Sequence, residues 1–93
     1  MSDQITSVIS LEHAERLANR TEEALANNHA EAERLARELV DIMQILHGPC
    51  HIEVGVALSY LALALEEQGK MSEALTIRKR ARKLFFSHGL WRN

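Results

Sequence analysis

Residues 58–81 read Leu58-Ser59-Tyr60-Leu61-Ala62-Leu63-Ala64-Leu65, then Glu66-Glu67-Gln68-Gly69-Lys70, then Met71-Ser72-Glu73-Ala74-Leu75 and on to Ala81. An apolar segment meets a polar Gln-Gly-Lys turn and gives way to a second segment with helical apolar spacing. Small residues stand at Ala62, Ala74 and Ala81, where two paired helices must approach closely. The stretch predicts a helical hairpin able to stack on others of its kind. Stacked hairpins build extended binding surfaces, which points to recognition rather than catalysis.

A weaker copy lies upstream. Glu31-Ala32-Glu33-Arg34-Leu35 matches Glu73-Ala74-Leu75-Thr76-Ile77, 42 positions later. Self-similarity at a period of this size is the mark of a repeat array. The downstream copy holds Leu58, Leu61, Ala62, Leu65, Gln68-Gly69-Lys70, Glu73-Ala74 and Ala81, with His47-Gly48-Pro49-Cys50-His51 between the two copies. This pattern resembles the tetratricopeptide repeat, in the long-period form found in kinesin light chains. The resemblance is close over residues 47–84, fair over 29–46 and poor over 1–28, where Arg16, Asn19 and Arg20 replace the Leu-x-x-Leu-Ala opening. The first helix therefore reads as a divergent or capping helix.

Composition agrees. Of 93 residues, 46% are hydrophobic, 4% aromatic and 26% charged, with one proline. Alanine, leucine, glutamate and arginine dominate, which favours helix. The lone cysteine, Cys50, leaves no internal disulfide framework and fits a reducing compartment. No apolar run has the length of a membrane span. Asp3 near the start, with no basic region ahead of an apolar core, gives no sign of a signal peptide. A cytoplasmic location is expected, and a nuclear one stays open.

Four helices are expected. The first runs over about 10–26, capped by Ser10, with Leu11, Ala14, Leu17, Ala18, Ala24 and Leu25 as its apolar line and Asn27-Asn28 as a left-handed stop. The second runs over about 30–46, with Ala32, Leu35, Ala36, Leu39, Met43 and Leu46 on one face, and Gly48-Pro49 ends it. The third runs over about 51–68, with Val54, Leu58, Leu61, Ala62 and Leu65 inward. The fourth runs over about 72–87, opened by Ser72, with Ala74, Ile77, Ala81, Leu84 and Phe85 inward. Short connections make neighbours antiparallel. The expectation is one all-α domain over 1–93: a segment at 1–9, a divergent hairpin at 10–46, a second hairpin at 51–87 and a tail at 88–93. The resemblance implies that the hairpins stack as a short right-handed solenoid.

Charge is divided along the chain. Residues 1–69 hold 12 acids and four bases, a net of −8, whereas residues 70–93 hold one acid and seven bases, a net of +6. The run Arg78-Lys79-Arg80-Ala81-Arg82-Lys83 reads first as a solvated helix face near a C-terminus, where the helix dipole favours cations. A nuclear-import or nucleic-acid contact is a second reading, disfavoured because no aromatic residue interleaves the run. Docking against an acidic surface is a third. His47, Cys50 and His51 form at most an incomplete zinc set, with His88 the one fourth ligand in prospect. No Ser-His-Asp arrangement, glycine-rich phosphate loop or paired-carboxylate pocket stands out, so neither enzyme nor cofactor is expected.

The tail concentrates aromatic area, with Phe85, Phe86, Leu90 and Trp91 close together. Repeat arrays of this kind usually need about three repeats or a polar capping helix. The tail therefore folds back over the last hairpin, meets a second copy or another molecule, or packs on a further repeat. Burial of Phe85, Leu90 and Trp91 is expected, with a homodimer as one route.

The resemblance implies a protein–protein interaction module whose groove is lined by the first helix of each hairpin. Carried onto this sequence, the groove positions are Val56, Ser59, Tyr60, Leu63, Glu66 and Glu67. Kinesin light chains hold a partner's backbone with paired asparagines where this chain has Ser59 and Tyr60, so a hydroxyl pair is expected to do that work more sparsely. With no base on the third helix, Glu66 and Glu67 are expected to face no cation and to select a basic or apolar partner. A self-associating structural module is the alternative.

Overall fold

The computed structural model describes residues 10–89. They form four helices and no strand: α1 Leu11–Asn27, α2 His29–His47, α3 Ile52–Glu67 and α4 Met71–Ser87. Each boundary has a local cause. Ser10 caps α1 as expected, its hydroxyl accepting from the His13 amide at 3.2 Å. Asn28 departs from expectation. It is extended (φ −151°, ψ 97°) rather than left-handed, because it serves two helices at once. Its amide donates to the Ala24 carbonyl at 2.7 Å, closing α1. Its side chain accepts from the Glu31 amide at 3.2 Å, opening α2. A left-handed residue would turn that side chain away from the new helix.

Gly48 ends α2 at φ 92°, a conformation open to glycine at little steric penalty. The His51 imidazole then caps α3, Nδ1 accepting from the Glu53 amide at 3.1 Å. At the Gln-Gly-Lys turn, Gly69 takes φ 79° and Lys70 returns its amide to the Leu65 carbonyl at 2.9 Å. The chain re-enters helix at once, so α4 starts at Met71 and Ser72 lies inside it. No side chain caps α4, and the expected Ser72 cap is not formed.

The core follows the predicted stripes of α2 and α3, and that of α1 except for Leu11, which sits in the first turn and is 59% exposed. Ala14 and Leu17 on α1 join Ala32, Leu35 and Leu39 on α2 and Val54, Ala57 and Leu58 on α3. A second cluster, Ala36, Leu61, Leu65 and Ala74, ties α2, α3 and α4 together. Thr21 is buried among the apolar residues, its hydroxyl donating to the Leu17 carbonyl at 2.7 Å. It continues the Ala14, Leu17, Ala24 line at helical spacing, and hydropathy alone passes over it. On α4 only Ala74 and Ala81 are fully buried, and Ile77, Leu84 and Phe85 are half-buried. The expected inward face of α4 is thus only partly covered.

The helices pack mainly α3 on α4, α2 on α3 and α1 on α2, with a smaller contact of α1 on α3. Among the described residues no comparable interface joins α1 to α4. Cross-links give the directions. Gln68, after α3, reaches His29 at the start of α2, and His88, after α4, reaches Cys50 ahead of α3. These neighbours are antiparallel. Arg37 meets Glu73 and Gln44 meets Arg80, so α2 and α4 run parallel. No helix among the described residues is long and apolar enough to cross a membrane.

Candidate partner-binding surface

The buried face of α3 spans Val54, Ala57, Leu58, Leu61, Ala62, Ala64 and Leu65. At 100° per residue the remaining arc holds Glu66, Ser59, Leu63, Val56, Glu67 and Tyr60 in that order around the helix. All six predicted groove positions therefore share one outward strip. Leu63, 40% exposed, lies within it beside half-buried Val56.

Two cross-links border the strip. On the α1 side the Tyr60 hydroxyl donates to Glu22 Oε1 at 2.5 Å. That bond, followed by burial, pushes the Tyr60 phenol up to about 12. On the α4 side Arg78 grips Glu66 through Nε and Nη2, each at 2.6 Å from a carboxylate oxygen. The fork holds the Glu66 carboxyl below its ordinary range, and the carboxylate raises the Arg78 guanidinium. Paired planar groups of this kind make directional, charge-assisted bonds.

This geometry corrects two expectations. Glu66 does face a cation, supplied by α4, because the hairpin folds Arg78 onto it. Only Glu67 of the predicted pair is nearly free, with His29 Nε2 at 4.0 Å. The hydroxyls of Ser59 and Tyr60 are also engaged, since Ser59 donates to the Gly55 carbonyl at 3.0 Å and Tyr60 to Glu22. They retain lone pairs for a ligand, and their protons are committed within the chain.

The basic run does not form one patch. Arg78 faces α3, and Arg80 turns to α2, donating to Gln44 Oε1 at 3.1 Å. Lys79, Arg82 and Lys83 share the outer face of α4 with Phe86 and Ser87, around a groove of about 410 Å³. Phe85 is half-buried and its ring lies over Gly55. Phe86 points outward, 66% exposed. Leu90 and Trp91 lie outside the described residues.

At the end of the molecule where α3 begins, the rings of His47 and His51 stack 4.4 Å apart and His88 approaches His51 at 6.4 Å. The Cys50 carbonyl accepts from His88 Nε2 at 2.8 Å. These contacts join the loop between α2 and α3 to the end of α4. Among the described residues no three His, Cys, Asp or Glu side chains are placed to hold a metal ion.

Sequence reasoning missed Glu33, which organises the opposite end. Its carboxylate accepts from Gln68 Nε2 at 2.8 Å, Lys70 Nζ at 2.9 Å and Arg37 Nε at 3.1 Å. The Lys70 bond leads in lowering the Glu33 carboxyl to about 2, with help from Gln68 and Arg37. The one local signal was Arg37 four residues on; Gln68 and Lys70 arrive only through the fold. Comparison with protein-family models, with curated proteins and with solved structures finds no match to this chain.

Proposed function

We propose that this chain is a protein–protein interaction module of tetratricopeptide-like, stacked-hairpin design, taking a partner peptide or helix along the outer strip of α3. The observation that carries the reading is the strip itself. Val56 and Leu63 offer apolar contact between two rigid cross-links, Tyr60–Glu22 and Glu66–Arg78. A partner docking there meets pre-ordered side chains, which lowers the entropy lost on binding. Packing of α1 against α3, together with the parallel course of α2 and α4, supports a repeat relation between the hairpins.

The partner on this strip is apolar with basic flanks. Glu53 and Glu67 sit toward its two ends, and neither has a Lys or Arg within 4.0 Å among the described residues. The test is a panel of basic, neutral and acidic amphipathic peptides titrated against the full chain and against Leu63→Asp. Binding of basic or apolar members that is lost in Leu63→Asp supports the reading. Binding indifferent to Leu63→Asp, or confined to acidic members, removes the strip from consideration.

A further inference from the structure

The outer face of α4 is built differently from the strip on α3. Met71, Leu75 and Phe86 are 60%, 53% and 66% exposed. On a helix these three fall within about 60° of one another, with Arg82 inside that arc and Lys79 about 20° beyond Phe86. The remaining charged contacts of α4 are satisfied, since Glu73 pairs with Arg37 and Arg78 with Glu66. Lys79, Arg82 and Lys83 have no acid within 4.0 Å among the described residues. The face is apolar, cationic and uncompensated.

The 42-residue offset shows what kind of object such a face receives. Moved back along the chain, Arg78 and Arg82 become Ala36 and Val40, and Lys79 and Phe86 become Arg37 and Gln44. On α2 that face is occupied by helices. Ala36 packs with Leu61 and Leu65 of α3. Val40 is buried, and Arg37 and Gln44 bond to Glu73 and Arg80 of α4. On the repeat reading proposed above, α4 offers the counterpart face with Arg82 in place of Val40, while Arg78 stays paired with Glu66 of α3. A purely apolar helix would bury Arg82 unpaired, which is strongly unfavourable. An acid on the incoming helix removes that penalty.

We infer that the outer face of α4 is a second docking surface, and that it takes an acidic amphipathic helix of a partner protein. Its acids meet Lys79, Arg82 and Lys83, and its apolar side covers Met71, Leu75 and Phe86. From Met71 to Phe86 the face is about 22 Å long, enough for a helix of about 16 residues. Its charge preference is opposite to that of the α3 strip.

The test uses the full chain and a synthetic peptide of about 16 residues with leucine at helical spacing and glutamate elsewhere. The control replaces every glutamate by lysine. Affinity is measured by fluorescence anisotropy for the parent, for Lys79→Glu/Arg82→Glu, for Phe86→Ser and for Leu63→Asp, with circular dichroism to verify that each variant is folded. The acidic peptide is expected to bind, the basic control not to bind at this face, and both α4 variants to weaken binding about tenfold or more. Leu63→Asp should leave the acidic peptide's affinity unchanged. Equal binding by parent and α4 variants overturns the proposal, as does failure of the acidic peptide to bind. Two further results assign the face to another occupant and also overturn it. One is sedimentation with phosphatidylserine-containing vesicles in the absence of peptide binding. The other is self-association of the parent that the α4 substitutions abolish.

Discussion

Ala62 and Ala74 are small because helices pass against them, and both are buried to within 1%. Ala62→Leu and Ala74→Leu should each destabilise by about 1–3 kcal/mol, since extra methylenes in a filled contact force backbone shifts. Urea midpoints read the effect, and parent-like midpoints would place these alanines at the surface. Gly55 is a sharper case. A Cβ there would sit 3.0 Å from Phe85 Cε1 and 3.5 Å from Leu84 Cβ. Gly55→Val should therefore destabilise, and Phe85→Ala should recover part of the loss in the double variant. Additive losses would mean that the two residues do not compete for the same space. Glu33 makes a pH-dependent contribution. Its folded carboxyl lies near 2, below the ordinary value of 4.5, so its stabilisation is present in full above pH 4.5 and fades as pH falls toward 2. The gap in urea midpoint between parent and Glu33→Gln should narrow over that interval, and a constant gap would exclude the mechanism.

The four helices are unequally held. α2 and α3 each carry buried residues on a broad face and pack on helices to both sides. α4 has two fully buried residues, both alanine, and its last turn is held by half-buried Leu84 and Phe85. Local opening follows the density of buried contacts. Amide hydrogen exchange should be slowest in α2 and α3 and faster in α4, especially beyond Ala81. Uniform protection across all four would show that α4 is covered in solution, by its own chain or by another molecule. The outward cations of α4 stabilise little, because exposed charges without partners generally shift stability by less than about 0.5 kcal/mol. Lys79→Glu/Arg82→Glu should melt like the parent, which makes it a clean binding probe.

At the scale of the molecule, α3 is the shared wall between the two hairpins. It touches α1 and α2 on one side and α4 on the other. Such a wall couples the hairpins, so unfolding should be a single cooperative transition. Helicity and an environment-sensitive dye on Cys50 should lose their folded signals at the same urea concentration; two separated transitions would mean that the hairpins fold independently. The division of charge also acquires a spatial meaning here. The acids of α3 and those cations of α4 that have no acid within 4.0 Å among the described residues face outward on adjoining surfaces, joined at the Glu66–Arg78 fork. Among the described residues, one small domain thus carries an acidic strip on α3 and a basic one on α4.

What was legible in the amino-acid sequence depends on interactions within about one helical turn. The apolar stripes, the Ser10 cap, the stops at Gly48 and Gly69 and the small residues at Ala62, Ala74 and Ala81 are all of that kind, because helical spacing and glycine's freedom act locally. The positions Val56, Ser59, Tyr60, Leu63, Glu66 and Glu67 came from the family resemblance instead, and α3 carries them on one outward arc. Asn28 and Ser72 were misread because a cap depends on where the next helix begins, and tight turns shift that point by a residue. The partners of Glu66 and Tyr60, and two of the three partners of Glu33, lie 12, 38 and 35–37 residues away in the chain. No periodicity connects residues so distant, and only the packing directions of α1, α2, α3 and α4 bring them together. Sequence alone therefore determined that the chain is helical and which face of each helix is apolar. The tertiary structure decided which charges cancel and which remain free to meet a partner, since charge pairing depends on distance across the fold rather than along the chain.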